Sequence, residues 1–450
     1  MVSPRQVVAA GTWHPLANLA PGGSIESLLL LTDGTVICGN SGTSWYKLTP
    51  NSSGSYINGT WSTIASMNYS RLYFGSQVLT NGEVFVVGAE YGSGSTNSEI
   101  YNPVANTWTK TTVQDEPYED CITKMLPSGN VLVGPAWSQT SWIYNPTLDS
   151  WTQGGSPLGS QNETDWVTLP DGSIMGINLS STNVERYIPS LNKWIKDAPA
   201  PVKLYVGGEM GAGHLLPNGK VFWIGGTTNT AIYTPSGTTN VGTWAAGPSI
   251  PNNLGAMDAA SAMEFNGDII MALNTSDELS GPTYFYEYDY TANTLTQISG
   301  PTNTTENIPC YLTTMLELPT GGILYANNSK QLYIYSPSGT AVSKGTPGIS
   351  SVTLNSDGSY TLTGTNLCGI SEGAKYGDDK QMDSNYPIVQ LVNGSNKYFA
   401  KTFCWPPGKV QTGTTVLSTK FTLPAGLPSG TYSLYVIANG ISSAAYSFTH

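Results

Sequence analysis

Three stretches carry one pattern: Tyr101-Asn-Pro-Val-Ala-Asn-Thr-Trp108, Tyr144-Asn-Pro-Thr-Leu-Asp-Ser-Trp151 and Tyr187-Ile-Pro-Ser-Leu-Asn-Lys-Trp194. The Tyr-to-Trp element returns with a longer loop as Tyr233…Trp244 and with Leu in place of Trp as Tyr288…Leu295. Looser forms are Trp45-Tyr46…Trp61 and Tyr333-Ile-Tyr335-Ser-Pro. A second marker is a turn ending in Gly34, Gly82, Gly129, Gly172, Gly219, Gly267 and Gly321, a period of roughly 43 to 54 residues. Each turn joins two short apolar runs, as in Leu28-Leu-Leu-Leu31 before and Val36-Ile-Cys38 after. Four short antiparallel strands at such a period are the signature of a propeller blade. A single sheet of that size cannot bury both faces, so the blades must stack around an axis. No helical periodicity of any length appears.

Seven turns predict seven blades. The last copy ends at Tyr335-Ser-Pro with no Trp strand after it, and Gly11-Thr12-Trp13-His14 offers the missing strand from the other end of the chain. The expected fold is therefore an all-β, seven-bladed propeller over residues 1–340, closed by an N-terminal strand so that the ring keeps no free edge. Ser343-Lys-Gly-Thr-Pro-Gly348 reads as a linker. Residues 349–450 hold alternating runs such as Tyr360-Thr-Leu-Thr-Gly364 and Tyr432-Ser-Leu-Tyr-Val436, the pattern of an immunoglobulin-like β-sandwich.

Composition narrows the function. Eighteen Lys+Arg against thirty Asp+Glu give a net charge of −12, which argues against nucleic acid or anionic lipid as a partner. No apolar run reaches the roughly 18–20 residues of a membrane helix, so no membrane insertion is expected. Only 11% of residues are charged, and aromatics are abundant, as in secreted all-β proteins. The expected location is extracellular or at the cell surface, although Met1-Val2-Ser3-Pro4-Arg5 lacks the apolar core of a signal peptide. Nine Asn-x-Ser/Thr sequons are close to what this composition yields by chance. Cys38, Cys121 and Cys310 sit in apolar strand patterns as buried free thiols, which leaves Cys368 and Cys404 as the one pair available for a disulfide.

The chain resembles the secreted kelch-repeat proteins of the galactose oxidase and glyoxal oxidase superfamily. The second blade carries the resemblance best, in Arg71-Leu-Tyr73-Phe-Gly-Ser-Gln-Val-Leu-Thr-Asn-Gly-Glu-Val-Phe-Val-Val-Gly88 and Glu99-Ile-Tyr-Asn-Pro103, and a kelch double glycine survives at Gly225-Gly226. The resemblance implies a copper held by two tyrosines and two histidines, one tyrosine being crosslinked to a cysteine. Tyr73 falls where the crosslinked tyrosine belongs. The cysteine's place is occupied by Ser24-Ile-Glu26-Ser27, and Cys38 lies past the turn on the next strand. A Tyr-His pair is expected to open the last blade, where this chain has Tyr311-Leu312. The second histidine is expected from the sandwich, which has only His450. His14 and His214 are read as structural. Copper is thus disfavoured, and no cofactor is expected.

In a propeller the innermost strand of each blade starts at one mouth of the central channel. Counting back seven to ten residues from each turn glycine finds Glu26; Tyr73, with Arg71 just before it; Glu119 and Asp120; Glu163 and Asp165; Glu209; Asp258; and Tyr311. Seven carboxylates stand where composition alone would place about two. One reading is a solvated acidic rim. The other is a concave acidic site in which crowding raises some pKa values. Such a site suits sugar recognition with tyrosine stacking or Ca²⁺ held by several carboxylates. It also suits glycoside cleavage by two carboxyls about 5–10 Å apart. Asp378-Asp379 reads as a polar turn or a further cation ligand, and Trp45, Trp137, Trp142 and Trp166 as core residues or stacking platforms.

The expectation is a copper-free extracellular propeller binding a glycan or related small ligand at its acidic mouth. A carboxylate-dependent glycoside hydrolase or lyase, with Glu163 and Asp258 as acid and base, is the alternative. A structural or adhesive surface protein is the third reading, and a copper radical oxidase the last.

Overall fold

The computed structural model describes residues 11–114, 116–178, 181–377 and 379–450; the opening Met1 to Arg5 and Asp378 lie outside them. The described residues form short antiparallel strands with a few 3-10 turns. Six separate four-stranded sheets build a propeller-like ring. The first runs Ser27–Leu30, Val36–Gly39, Trp45–Thr49 and Thr60–Thr63, fully buried at its first strand and mostly exposed at its last. The same order recurs in Ser261–Met263, Ile269–Thr275, Thr283–Asp289 and Thr294–Ile298, but there it is one end of an eight-stranded sheet.

The repeat has a physical cause. Within each unit Tyr and Trp are cross-strand partners, as in Tyr101↔Trp108, Tyr144↔Trp151, Tyr187↔Trp194 and Tyr233↔Trp244. Such aromatic pairs stabilise a sheet by about 0.2–1 kcal/mol each. The Tyr hydroxyl is buried and donates to the turn residue five positions on: Asn106, Asp149, Asn192 and Asn293 accept from Tyr101, Tyr144, Tyr187 and Tyr288. The Trp indole N–H reaches out of its own sheet to a carbonyl just after the outer strand of the preceding unit. Trp108 donates to Ala65, Trp151 to Thr112 and Trp244 to Ala198, at 2.8–2.9 Å. Tyr therefore closes the outer hairpin, and Trp latches one unit to the one before it. All seven turn glycines hold φ between 75° and 90°, where any side chain is strained.

The N-terminal strand completes the ring. Thr12–Pro15 pairs antiparallel with Tyr333–Ser336, placing Trp13 opposite Tyr335 in the Tyr–Trp register of the other units. Its indole donates to Ser299, again a carbonyl of the preceding unit, at 2.7 Å. Its ring packs against Phe285, Tyr325 and Tyr335 at centroid distances of 4.9–5.5 Å.

Beyond the ring, eight strands between Gly348–Leu354 and Tyr446–Thr449 are joined in one hydrogen-bonded sheet, a half-barrel around Leu362, Leu391, Phe421, Leu434 and Phe448. Cys38, Cys121 and Cys310 are buried free thiols, as expected; Cys368 and Cys404 are free as well, so no bond joins them. Trp45 and Trp166 are core residues, whereas Trp137 is 68% exposed.

From the half-barrel unit a hairpin, Gly373–Lys375 and Gln381–Asp383, enters the middle of the ring. Gly373–Lys375 extends the sheet of Ser261–Met263 by pairing Ser261 with Lys375 and Ala262 with Ala374. Its flanks meet the innermost strands of other units. Lys375 Nζ binds Asp165 (3.0 Å) and the Trp166 carbonyl (2.7 Å), and Lys124 Nζ lies 2.8 Å from Glu372. Thr168 donates to Glu372, Ser76 to the Gln381 carbonyl and Ser384 to Glu317. These charges are almost wholly excluded from water, so each must be paired to be tolerated. The hairpin fills the channel and sets a floor beneath the mouth.

Candidate functional site

Above that floor lies a cavity of about 500 Å³. Its wall takes Glu26, Tyr73, Asp120, Glu163, Glu209, Asp258 and Tyr311 from the innermost strand starts. Seven of the ten strand-start residues read from sequence thus meet in one cavity. The other three do not line it. Arg71 is 1% exposed and turned into its own unit, where it pairs with Glu99 at 3.2 Å and donates to the carbonyls of Gly88, Gly94 and Asn97. Glu119 is half-buried beside the cavity rather than on its wall. Asp165, also counted to the mouth, sits deeper as the partner of Lys375.

The backbone aims these side chains. Tyr73, Asp120, Glu163 and Asp258 have φ of 51°, 41°, 50° and 47°, all in the left-handed region without being glycine. Each such residue costs about 1 kcal/mol or more, and strain of this kind concentrates at functional sites. The same kink at equivalent places in four units turns one side chain after another toward the axis.

Residues that the count from the turn glycines did not reach complete the wall. Glu90 and Tyr91 follow the second strand of their unit, Asn328 follows the second strand of the last one, and Tyr376, Asp379 and Lys380 come from the hairpin tip. Of the Asp378-Asp379 pair, Asp379 is thus a wall residue, and it accepts the backbone N–H of Phe74 at 2.8 Å. Tyr376 stacks on Tyr73 with centroids 6.2 Å apart, and its hydroxyl donates to the Tyr311 carbonyl at 2.8 Å. Lys380 lies over both rings, 4.1 Å from the Tyr376 centroid and 5.0 Å from that of Tyr73.

The electrostatics are severe. Burial, then the nearby charges of Asp379 and Glu163, push the Asp120 carboxyl up to about 10. Burial and the proximity of Glu209 and Glu163 hold Asp258 well above the usual carboxylate range. Burial also raises Glu26, Glu90 and Glu209. One oxygen each from Glu163, Glu209 and Asp258 lies within 4.8 Å of the others. Carboxyls this close cannot all stay ionised unless a cation or shared protons separate them.

Copper of the kind implied by the resemblance needs imidazole donors. No described residue on the wall supplies one: Leu312 occupies the expected place in the last unit. His14 is in the closing strand, bonded to Thr12. His214 is fully buried against Ser261, with its pKa pushed down to about 3 by burial, and His450 ends the chain on the half-barrel. Cys38 lies within the buried strand Val36–Gly39 and is not on the wall. The residues present do not fit that copper set; they offer carboxylate and phenol oxygens.

No protein-family model matches the chain, and no curated protein does. Among solved structures it is similar to a fungal alcohol oxidase of the AA5 family in complex with copper. That pair is 16% identical over 98% of this chain and 99% of the other, with a TM-score of 0.59. It is also similar to a streptogramin B lyase (10% identical, 74% of this chain, 100% of the other, TM-score 0.53). A catalytically inactive virginiamycin B lyase from Staphylococcus aureus, solved with quinupristin, is 9% identical over 73% of this chain and 99% of the other, with a TM-score of 0.51. What this chain shares with them is the propeller type of fold.

Proposed function

We propose that this protein is an extracellular, copper-free, seven-bladed kelch-type propeller with an immunoglobulin-like C-terminal unit, and that it binds a glycan or a related hydroxyl-rich ligand in the central cavity. One observation carries the reading: strained left-handed strand starts converge Asp120, Glu163 and Asp258 on a 500 Å³ cavity floored by a dedicated hairpin. A merely solvated rim has no need of that strain. Tyr73, Tyr91, Tyr311 and Tyr376 supply apolar faces for sugar rings, and the carboxyls supply hydrogen-bond acceptors and, where protonated, donors. Neither nucleic acid nor a membrane suits a site of this charge.

The second reading is a hydrolase or lyase in the same cavity. It draws on Asp120, a carboxyl that burial keeps protonated at neutral pH and that stands beside the others. Solved proteins of this fold include both an oxidase and lyases, so fold does not choose between binding and turnover. The test is incubation with defined oligosaccharides, following retention and cleavage by mass spectrometry, on wild type and Asp120→Asn. Retention without cleavage, weakened by the variant, supports the binding reading. Cleavage that the variant abolishes establishes the second reading. If no oligosaccharide is retained or cleaved, both readings fall.

A further inference from the structure

We infer that Glu163, Glu209 and Asp258 hold a Ca²⁺ ion, and that this ion, rather than the carboxylates directly, is what engages vicinal hydroxyls of the ligand. The inference rests on the reading of the cavity as a ligand site and names how that ligand is gripped. Three residues from the innermost strand starts of three successive units place one oxygen each within 4.8 Å of the others. Oxygens gathered this closely suit a cation that takes several carboxylates in flexible geometry at about 2.3–2.6 Å, as Ca²⁺ does. The donors are all oxygen, with no imidazole or thiol on the described wall, which selects a hard cation.

Asp120 is a second, independent pointer. It is 6% exposed, faces the cavity, and makes no hydrogen bond or ion pair among the described residues. A carboxyl so thoroughly desolvated without a partner lacks the counterpart that buried polar groups ordinarily have. Glu163, Glu209 and Asp258 line the same cavity that Asp120 faces. Three monodentate carboxylates also leave a Ca²⁺ ion three or more of its six to eight positions. A vicinal diol fills two of those positions with neutral oxygens.

The experiment is calorimetric titration of CaCl₂ into the whole, chelator-treated protein, repeated on Glu209→Gln and Asp258→Asn. Both variants are isosteric and relieve repulsion, so they fold; circular dichroism verifies it. Oligosaccharide retention is then measured in calcium and in chelator. One ion per chain, weakened at least tenfold by either variant, with retention lost in chelator, supports the inference. It is overturned if wild type takes up no Ca²⁺ at millimolar concentration, or if Glu209→Gln binds it unchanged. Retention that persists in chelator overturns the ion's role and leaves the cavity as a ligand site. Ca²⁺ uptake with no sugar retained supports the metal site, overturns its role in gripping hydroxyls, and removes the reading of the cavity as a glycan site.

Discussion

Glu317→Gln tests the electrostatics of the channel with a single atom changed. Glu317 is wholly buried where the hairpin meets the last unit of the ring, with Ser384 Oγ at 2.7 Å and Asn439 Nδ2 at 3.0 Å from the same carboxylate oxygen. Its other oxygen has no hydrogen-bond partner. No cation pairs with it, and burial pushes it from the ordinary 4.5 up to about 8. Between those values the unfolded chain has released the proton and the folded chain keeps it. The folded state then binds more protons, and stability falls as pH rises from about 4.5 to 8. The gap between those values is worth about 3–5 kcal/mol. Gln mimics the protonated acid and has nothing to release. Urea unfolding of wild type and variant, followed by tryptophan fluorescence from pH 4.5 to 9, gives a difference curve in which every other titrating group cancels. The variant is expected to match wild type near pH 4.5 and to exceed it by about 3–5 kcal/mol at pH 8.5 and above. A flat difference curve would refute the account, because it would mean that Glu317 ionises in the folded protein as easily as in water.

Three further outcomes follow from the same structure. Lys375→Met leaves Asp165 buried with only the Gly213 N–H as partner, and is expected to destabilise by about 3–5 kcal/mol, with Lys375→Met/Asp165→Asn recovering most of that loss in the same urea assay. Trp13→Ala removes the latch and the ring that packs on Phe285, Tyr325 and Tyr335. Unfolding should shift by about 3 kcal/mol, and limited proteolysis should cut first near the N-terminus. Asp120→Asn replaces an unpartnered buried carboxyl and puts a residue more at ease in the left-handed region there. A gain of about 1 kcal/mol together with weaker ligand retention is expected, since strain kept for function trades against stability.

The ring was legible because its determinants are local and repeated. Tyr101 and Trp108 face each other across one hairpin and are seven residues apart, so their pairing shows in the sequence, and Trp13 could be matched to Tyr335 by the same rule. The strand starts were legible by counting from the turn glycines, and that count brought most of the wall together. It misplaced Arg71 and Glu119 because counting does not give the side of the strand a residue faces, and Asp165 because a position two residues beyond Glu163 already lies at the depth of the hairpin. Of the hairpin only the tip was legible, as a polar turn at Asp378-Asp379; its two strands were not. Its partners lie far away in the chain, 210 residues in the case of Lys375 and Asp165, and its charges carry no period. Glu90 and Tyr91 stand after the second strand of their unit, Val84–Val87, where a loop of its own length, not a distance from the turn glycine, sets their place.

The strand that shuts the ring is made before the other strands of the ring and used last. Thr12–Pro15 leaves the ribosome roughly 320 residues ahead of Tyr333–Ser336, a delay of about 15–60 s at about 5–20 residues per second. Throughout that interval the nascent ring is an open stack with two bare sheet edges, the geometry most prone to pairing with a neighbour. Residues 373–383 are made later still, yet they belong in the centre of the ring. Final closure therefore cannot precede the translation of the half-barrel unit without trapping the channel empty. In this chain the order of synthesis makes the C-terminal quarter a gatekeeper of the whole molecule's assembly.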